Sequence, residues 1–165
     1  METPIARSYL FVPATRIDRV PKALASGADA VIADLEDAVA PGDKSAARDA
    51  IARAAQSAQS VFIRINGPDS EWFEDDLRLC GDLRVLGIVV PKSETPDQIR
   101  HVASHARPGA IVLPLIETAV GYANMAKVGA APGVQRLVFG SIDFQLDLGI
   151  AANAMSYCSS VQAWC

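Results

Sequence analysis

Six short runs of β-branched and other apolar residues recur along the chain, with longer stretches studded with alanine and charge between them. The runs are Tyr9-Leu10-Phe11-Val12, Ala30-Val31-Ile32-Ala33, Val61-Phe62-Ile63-Arg64-Ile65, Leu86-Gly87-Ile88-Val89-Val90, Ile111-Val112-Leu113-Pro114-Leu115-Ile116 and Leu137-Val138-Phe139. Parallel strands cannot be joined by a tight turn; they need a long crossover, usually a helix. The alternation therefore predicts repeated βα units around a parallel sheet, an α/β fold. Helices are expected at about 16–26, 44–57, 70–80, 96–106 and 118–129. Asp43, Ser70 and Thr95 stand where N-caps would, and Pro96 follows Thr95 at the first helical position. Proline removes a ladder donor, so Pro91 is expected to end its strand and Pro114 to need a bulge. No linker or low-complexity stretch divides the chain, so it reads as one domain over 1–150 and a tail over 151–165 without clear period.

Six parallel strands fit either an open doubly wound sheet or part of a TIM-type (β/α)8 barrel, and in both folds ligands gather at the carboxyl ends of the strands. Here those ends carry Asp34-Leu35-Glu36-Asp37, Arg64-Ile65-Asn66, Lys92, Glu117-Thr118 and Asp143. An open sheet concentrates chemistry at one switch point. Nearly every strand here delivers a charged or amide group to one rim, which predicts a barrel of which about six βα units are present.

Composition narrows the partners. With 15 Lys plus Arg against 19 Asp plus Glu the formal charge is −4, which disfavours nucleic acid. No apolar run approaches the ~20 residues that span a bilayer, and Met1 to Arg7 lacks a secretory pattern, so no membrane partner and a cytoplasmic location are expected. Cys80, Cys158 and Cys165 show neither a disulfide framework nor a zinc spacing. His101 and His105 have i,i+4 spacing without an H-E-x-x-H motif and read as a solvated helix face. Gly42-Asp43-Lys44-Ser45 lacks the upstream glycine of a phosphate loop, and G-x-S-x-G is absent, which disfavours nucleotide and serine hydrolysis.

The rim residues carry the chemistry. Asp34 and Glu36 share one face of an extended segment, and with Asp37 they repel unless a cation or arginine compensates them; capping of the following helix is the alternative. Arg64 lies inside an apolar run where an unpaired guanidinium is expensive. With Asn66 on the same face it could grip a carboxylate; the alternative is an ion pair with Glu36 or another rim acid. Lys92 has a weaker claim, because lysine reaches solvent readily. Glu117 and Asp143 make an oxygen-rich pair suited to Mg²⁺, although either alone could be a helix-start acid.

Taken in order, Arg7-Ser8-Tyr9-Leu10-Phe11-Val12-Pro13, Asp34-Leu35-Glu36-Asp37-Ala38-Val39 with Lys44 and Ala47-Arg48, Arg64-Ile65-Asn66, Pro91-Lys92, Ile116-Glu117-Thr118 and Phe139-Gly140-Ser141-Ile142-Asp143 resemble the citrate lyase beta subunit family of the HpcH/HpaI aldolase group. The resemblance implies a (β/α)8 barrel, Mg²⁺ on Glu117 and Asp143, and a substrate carboxylate on Arg64. It implies a carbon-carbon lyase that splits a citryl-, malyl- or citramalyl-like thioester of coenzyme A or an acyl carrier protein into an acyl thioester and a 2-oxo acid. Catalytic roles then fall to Arg64, Glu36 and Asp37, the last two orienting metal waters, and substrate-binding roles to Arg64, Asn66, Lys92 and Arg16. Arg16 and Arg19 would meet carrier phosphates or remain solvated helix residues. A class II aldolase acting on a free hydroxy-oxo acid, or a non-catalytic subunit, are the alternatives. A full barrel takes ~250 residues, so a C-terminally truncated chain lacking strands seven and eight is expected, and the family pattern implies a homo-oligomer.

Overall fold

A computed structural model describes residues 6–54, 61–82 and 84–150, together with the backbone of Gln162 and Ala163. All six apolar runs become strands: β1 (Tyr9–Pro13), β2 (Ala30–Asp34), β3 (Val61–Arg64), β4 (Val85–Val90), β5 (Ile111–Ile116) and β6 (Val138–Phe139). Each pairs in parallel with the strand before it, so spatial order equals chain order. Every crossover therefore steps one strand the same way, and the reversal that defines a doubly wound sheet does not occur. The six strands form a curled half-barrel. A short strand from the tail, β7 (Gln162–Ala163), pairs antiparallel with β6; residues 151–161, 164 and 165, including Cys158 and Cys165, lie outside the described residues.

Alternation along the strands builds two apolar layers. Ile32, Phe62, Val89, Leu113, Leu115 and Val138 fill the concave side. Val31, Ala33, Ile63, Ile88, Val90 and Val112 face the helices, against Val20, Ile51, Leu77, Ile99 and Val128. The helices cover the second layer, and the first lines the interior of the curl. Between β3 and β4 the register slips: Val61 pairs with Val85 but Phe62 with Gly87, which leaves Leu86 as an extra residue. Gly87 admits no side chain there, since a Cβ would stand 2.5 Å from Cε1 of Phe62.

The helices are α1 (Val20–Leu24), α2 (Lys44–Ala54), α3 (Phe73–Leu77), α4 (Pro96–His105), α5 (Ala119–Gly129) and α6 (Ser141–Asp147). Thr95 caps α4 as expected, in a reciprocal box with Gln98 and with Pro96 in the first turn. Five expectations need correction. Asp43 is not an N-cap: it ends the 3-10 turn Pro41–Asp43 that runs into α2. The first helical segment is a 3-10 stretch over Ala14–Arg19 that passes into α1 only at Val20, just before Pro21. Ser70 caps nothing: α3 starts at Phe73, and the Ser70 hydroxyl is buried without a hydrogen-bond partner. Pro114 needs no bulge, since it pairs in register with Val90. The N–H and C=O of Val112 bond Gly133 and Gln135 on the β6 side, so Pro114, two residues on, turns its donorless nitrogen the same way, ahead of the first β6 pair at Leu115–Val138. Finally, α6 was not foreseen, and Asp143 sits in its first turn rather than at a strand end. Among the described residues, no helix is long and apolar enough to cross a membrane. Cys80 is buried, and burial pushes its thiol up to about 12, the condition of an inert core residue.

Candidate functional site

The carboxyl ends of the strands open onto a cavity of about 550 Å³. Phe11, Ile32, Val89 and Leu113 line its walls, and Asp37, Arg64, Glu117 and Asp143 stand among its polar lining.

Arg64 closes β3 opposite Asp34, its register partner at the end of β2. Its Nε and Nη2 donate to the two Asp34 carboxylate oxygens at 2.7 and 2.6 Å, a planar fork on a planar acid. Nη1 remains and lies 3.0 Å from Glu36 and 3.5 Å from Asp37. Burial works against the guanidinium, but the hydrogen bonds and charge of Asp34, aided by Glu36 and Asp37, outweigh it and raise its pKa. The three acids that repel in sequence are thus compensated by one arginine. Glu36 is the least comfortable: burial pushes it up to about 7, opposed by Arg64 and reinforced by the charges of Asp37 and Asp34.

Across the cavity Glu117, which follows β5, is 2% exposed and accepts the Lys92 N–H at 2.8 Å. Lys92 adopts φ +48°, the left-handed region, and that turn aims its amide at the acid. Gly140 is required by the same packing, because a Cβ there would lie 2.7 Å from Oε2 of Glu117. Burial pushes Glu117 up to about 8, against the Lys92 N–H, with Glu36 and Asp143 adding to the rise. Asp143 reaches the cavity from α6, half-buried.

Of the residues singled out by sequence, Arg64, Asp37, Glu117 and Asp143 line this cavity, and Glu36 reaches its edge through Nη1 of Arg64, whereas Asn66, Lys92 and Arg16 do not line it. Asn66 turns into a buried network: its N–H and Nδ2 donate to Asp76 at 2.8 and 2.6 Å, and its Oδ1 accepts from Lys44 at 2.7 Å. The Lys92 side chain lies over a second hollow of about 360 Å³ beside Trp72 and Lys44. Arg16 is exposed and pairs with Asp18 at 3.2 Å. His101 bonds Glu74 at 3.1 Å on an exposed face, as a solvated helix pair would. Sequence reasoning missed the roles of Lys44, Arg48 and Asp76. A signal existed for Asp76, which is fully buried between Phe73 and Leu77 on the apolar face of α3.

Strand order and an acid-and-arginine mouth at the strand ends define a (β/α)-barrel enzyme scaffold. The family model described as HpcH/HpaI aldolase/citrate lyase matches residues 7–157, and the chain belongs to that family. It is 38% identical to a citrate lyase subunit beta-like protein of Deinococcus radiodurans, over 88% of this chain and 55% of that protein. It is 33% identical to a (3S)-malyl-CoA thioesterase of Cereibacter sphaeroides, over 86% of this chain and 51% of the other. The solved citrate lyase beta subunit of M. tuberculosis complexed with oxaloacetate and magnesium superposes with a TM-score of 0.77 at 33% identity, covering 88% of this chain and 63% of that one. The chain spans about half the length of the curated relatives it matches.

Proposed function

We propose that this chain carries the oxo-acid and metal half of a carbon-carbon lyase acting on β-hydroxyacyl thioesters of the citryl, malyl or citramalyl type. The observation that carries the reading is the meeting, in one cavity, of the Arg64 guanidinium with two carboxylates, Glu117 and Asp143, that form no ion pair among the described residues. Mg²⁺ fits that pair: it prefers oxygen, keeps several waters and takes one or two carboxylates rather than a protein cage. Burial raises Glu117 to about 8, and the charges of Glu36 and Asp143 add to the rise. A bound Mg²⁺ there would supply Lewis acidity at the oxo-acid oxygen.

The chain's own residues do the rest. Asp34 holds two nitrogens of Arg64, so the guanidinium plane is fixed before substrate arrives, and a substrate carboxylate would take the place of Glu36 or Asp37 at Nη1. Glu36, bonded to that same Nη1 and raised to about 7, is the acid beside the oxo-acid subsite able to hold or release a proton near neutrality. Asp37, largely exposed 3.5 Å from Nη1, would orient water at the rim. The apolar wall of Phe11, Val89 and Leu113 limits water below the reacting carbons. In cleavage the substrate hydroxyl loses its proton, the bond to the carbon alpha to the thioester breaks, and the departing enolate takes up a proton.

Mg²⁺ with oxaloacetate or glyoxylate should raise the melting temperature by mass action, and Glu117→Gln should abolish the shift. An unchanged Mg²⁺-dependent shift in both Glu117→Gln and Asp143→Asn removes the assignment. Arg64→Lys should weaken oxo-acid binding while sparing the metal, since a point charge cannot replace a fork. Product analysis decides the reaction: malyl-CoA giving acetyl-CoA and glyoxylate marks a lyase, malate and free coenzyme A a thioesterase, and turnover of free hydroxy-oxo acids alone the aldolase alternative.

A further inference from the structure

We infer that Lys44 is a positioning residue for this site: its buried ammonium clamps the loop after β2 so that Glu36 meets Arg64. The inference rests on the reading of Arg64 and Glu36 as the oxo-acid side of the mouth.

Lys44 opens α2 yet is 4% exposed. An ammonium has three donors and no acceptor. Here Nζ donates to the carbonyl oxygen of Leu35 at 2.6 Å, to that of Glu36 at 2.8 Å, and to Oδ1 of Asn66 at 2.7 Å. All three donors are spent, and none goes to a carboxylate. A lysine placed for bulk or surface charge would keep its head in water, because a buried ammonium is costly unless every donor is met. What this one meets is backbone on the β2 exit loop and a side chain on the β3 exit loop, so it ties together the two segments that flank Arg64. Its charge also lies 5.0 Å over the ring of Trp72, which closes the far side.

The clamp works because its other end is rigid. Asn66 Nδ2 donates to Asp76, and that bond turns Oδ1 toward Lys44. Asp76 is itself held by Arg48 at 3.1 Å, one turn along α2 from Lys44. The loop is pinned from its other side by the Leu35 N–H on the Arg64 carbonyl oxygen at 2.9 Å and by the Glu36 N–H on Asp34 at 2.9 Å. Helix α2 therefore fixes the Glu36 backbone, and the Glu36 side chain is left to reach Nη1 of Arg64 at 3.0 Å. Glu117 follows β5, Asp143 stands on α6, and neither shares a hydrogen bond with this chain of contacts. A positioning role thus splits the site: oxo-acid affinity depends on Lys44 and metal affinity does not.

The test is calorimetry on the full chain with Lys44→Ala, using Mg²⁺ alone and then oxaloacetate in saturating Mg²⁺. Oxaloacetate affinity is expected to fall about tenfold or more and Mg²⁺ affinity to change less than about twofold. Ethylammonium should restore oxaloacetate affinity, because the hollow beside Lys44 opens to solvent and admits a small amine. Wild-type oxaloacetate affinity in Lys44→Ala, or an amine that raises the melting temperature without restoring affinity, overturns the inference. Should Lys44→Ala fail to fold, Lys44→Gln, which keeps two donors, is read by the same measurements and limits. Should the wild-type chain itself bind no oxaloacetate, the proposed function fails, and the clamp is read from amide exchange instead. Leu35 and Glu36 must then exchange about tenfold faster in the variant while Val112 is unchanged, and equal protection of Leu35 and Glu36 overturns the clamp.

Discussion

The two sides of the mouth carry the same kind of side chain in opposite electrical condition. On the β2–β3 side, Asp34 is spent on Arg64 in a two-bond pair, with Glu36 and Asp37 sharing the remaining nitrogen. On the β5–α6 side, Glu117 has one backbone N–H and a second carboxylate for a neighbour. On the first side Arg64 balances the acids, and on the proposed reading a substrate carboxylate would displace Glu36 or Asp37 from Nη1. On the second, Glu117 and Asp143 form no ion pair among the described residues, which suits them to the Mg²⁺ proposed above.

The hardest test of that contrast removes one acid from each side. Asp34→Ala leaves a buried guanidinium without its main partner and should cost about 3–5 kcal/mol in urea unfolding. Asp143→Asn should shift stability by less than about 0.5 kcal/mol without metal. Equal losses would erase the distinction.

A pH series on metal-free protein comes next. A carboxyl raised on folding binds more protons folded than unfolded, so its contribution falls as pH climbs from the unfolded value near ~4.3 through the folded one. For Glu36 and Glu117 those folded values are about 7 and about 8. Stability should therefore drop by on the order of a few kcal/mol between pH ~5 and ~9. Glu117→Gln should flatten the curve, and Mg²⁺ should restore the wild-type chain at the alkaline end. A profile that rises over this window would contradict the assignment of both groups.

Two smaller effects sharpen the β5–α6 side. Gly140→Ala sets a methyl 2.7 Å from Oε2 of Glu117 and should weaken Mg²⁺ binding by about tenfold, measured by calorimetry. Lys92→Gly keeps the N–H on Glu117 and relieves the left-handed backbone. Stability should move by no more than ~1 kcal/mol, with Mg²⁺ affinity unchanged. A large loss of affinity would mean that the ammonium, rather than the amide, serves Glu117.

Much of this was legible in the sequence because strands and rims follow a period. Alternation located all six strands, and the ends of β2, β3 and β5 brought Asp37, Arg64 and Glu117 to one mouth, which Asp143 joins from α6. The Thr95–Gln98 cap was readable for the same reason: its partners lie three residues apart. What escaped has no period. Arg64 inside an apolar run announces that it must be paired, but only the Asp34 register says with what. Asn66 shares the strand face of Arg64, and Asp76 and Lys44, from α3 and α2, draw it away from the cavity. The left-handed turn at Lys92 is a backbone event that its side chain does not advertise, and the freedom of Pro114 from a bulge depends on which way Val112 turns its amide.

The stepwise strand order also governs how the chain can acquire its structure. Among the described residues each strand from β2 to β6 pairs with the one synthesised just before it, so these pairings form between neighbours in the chain, at low entropic cost of closure. A tie between distant parts, Arg136 Nη1 to the Ala6 carbonyl oxygen at 2.7 Å, comes only when the approach to β6 is in place. Assembly can therefore run in the direction of translation. An emerging chain completes the Asp34–Arg64 pair before β5 exists, and so neutralises its buried guanidinium before it has to accommodate the acidic pair.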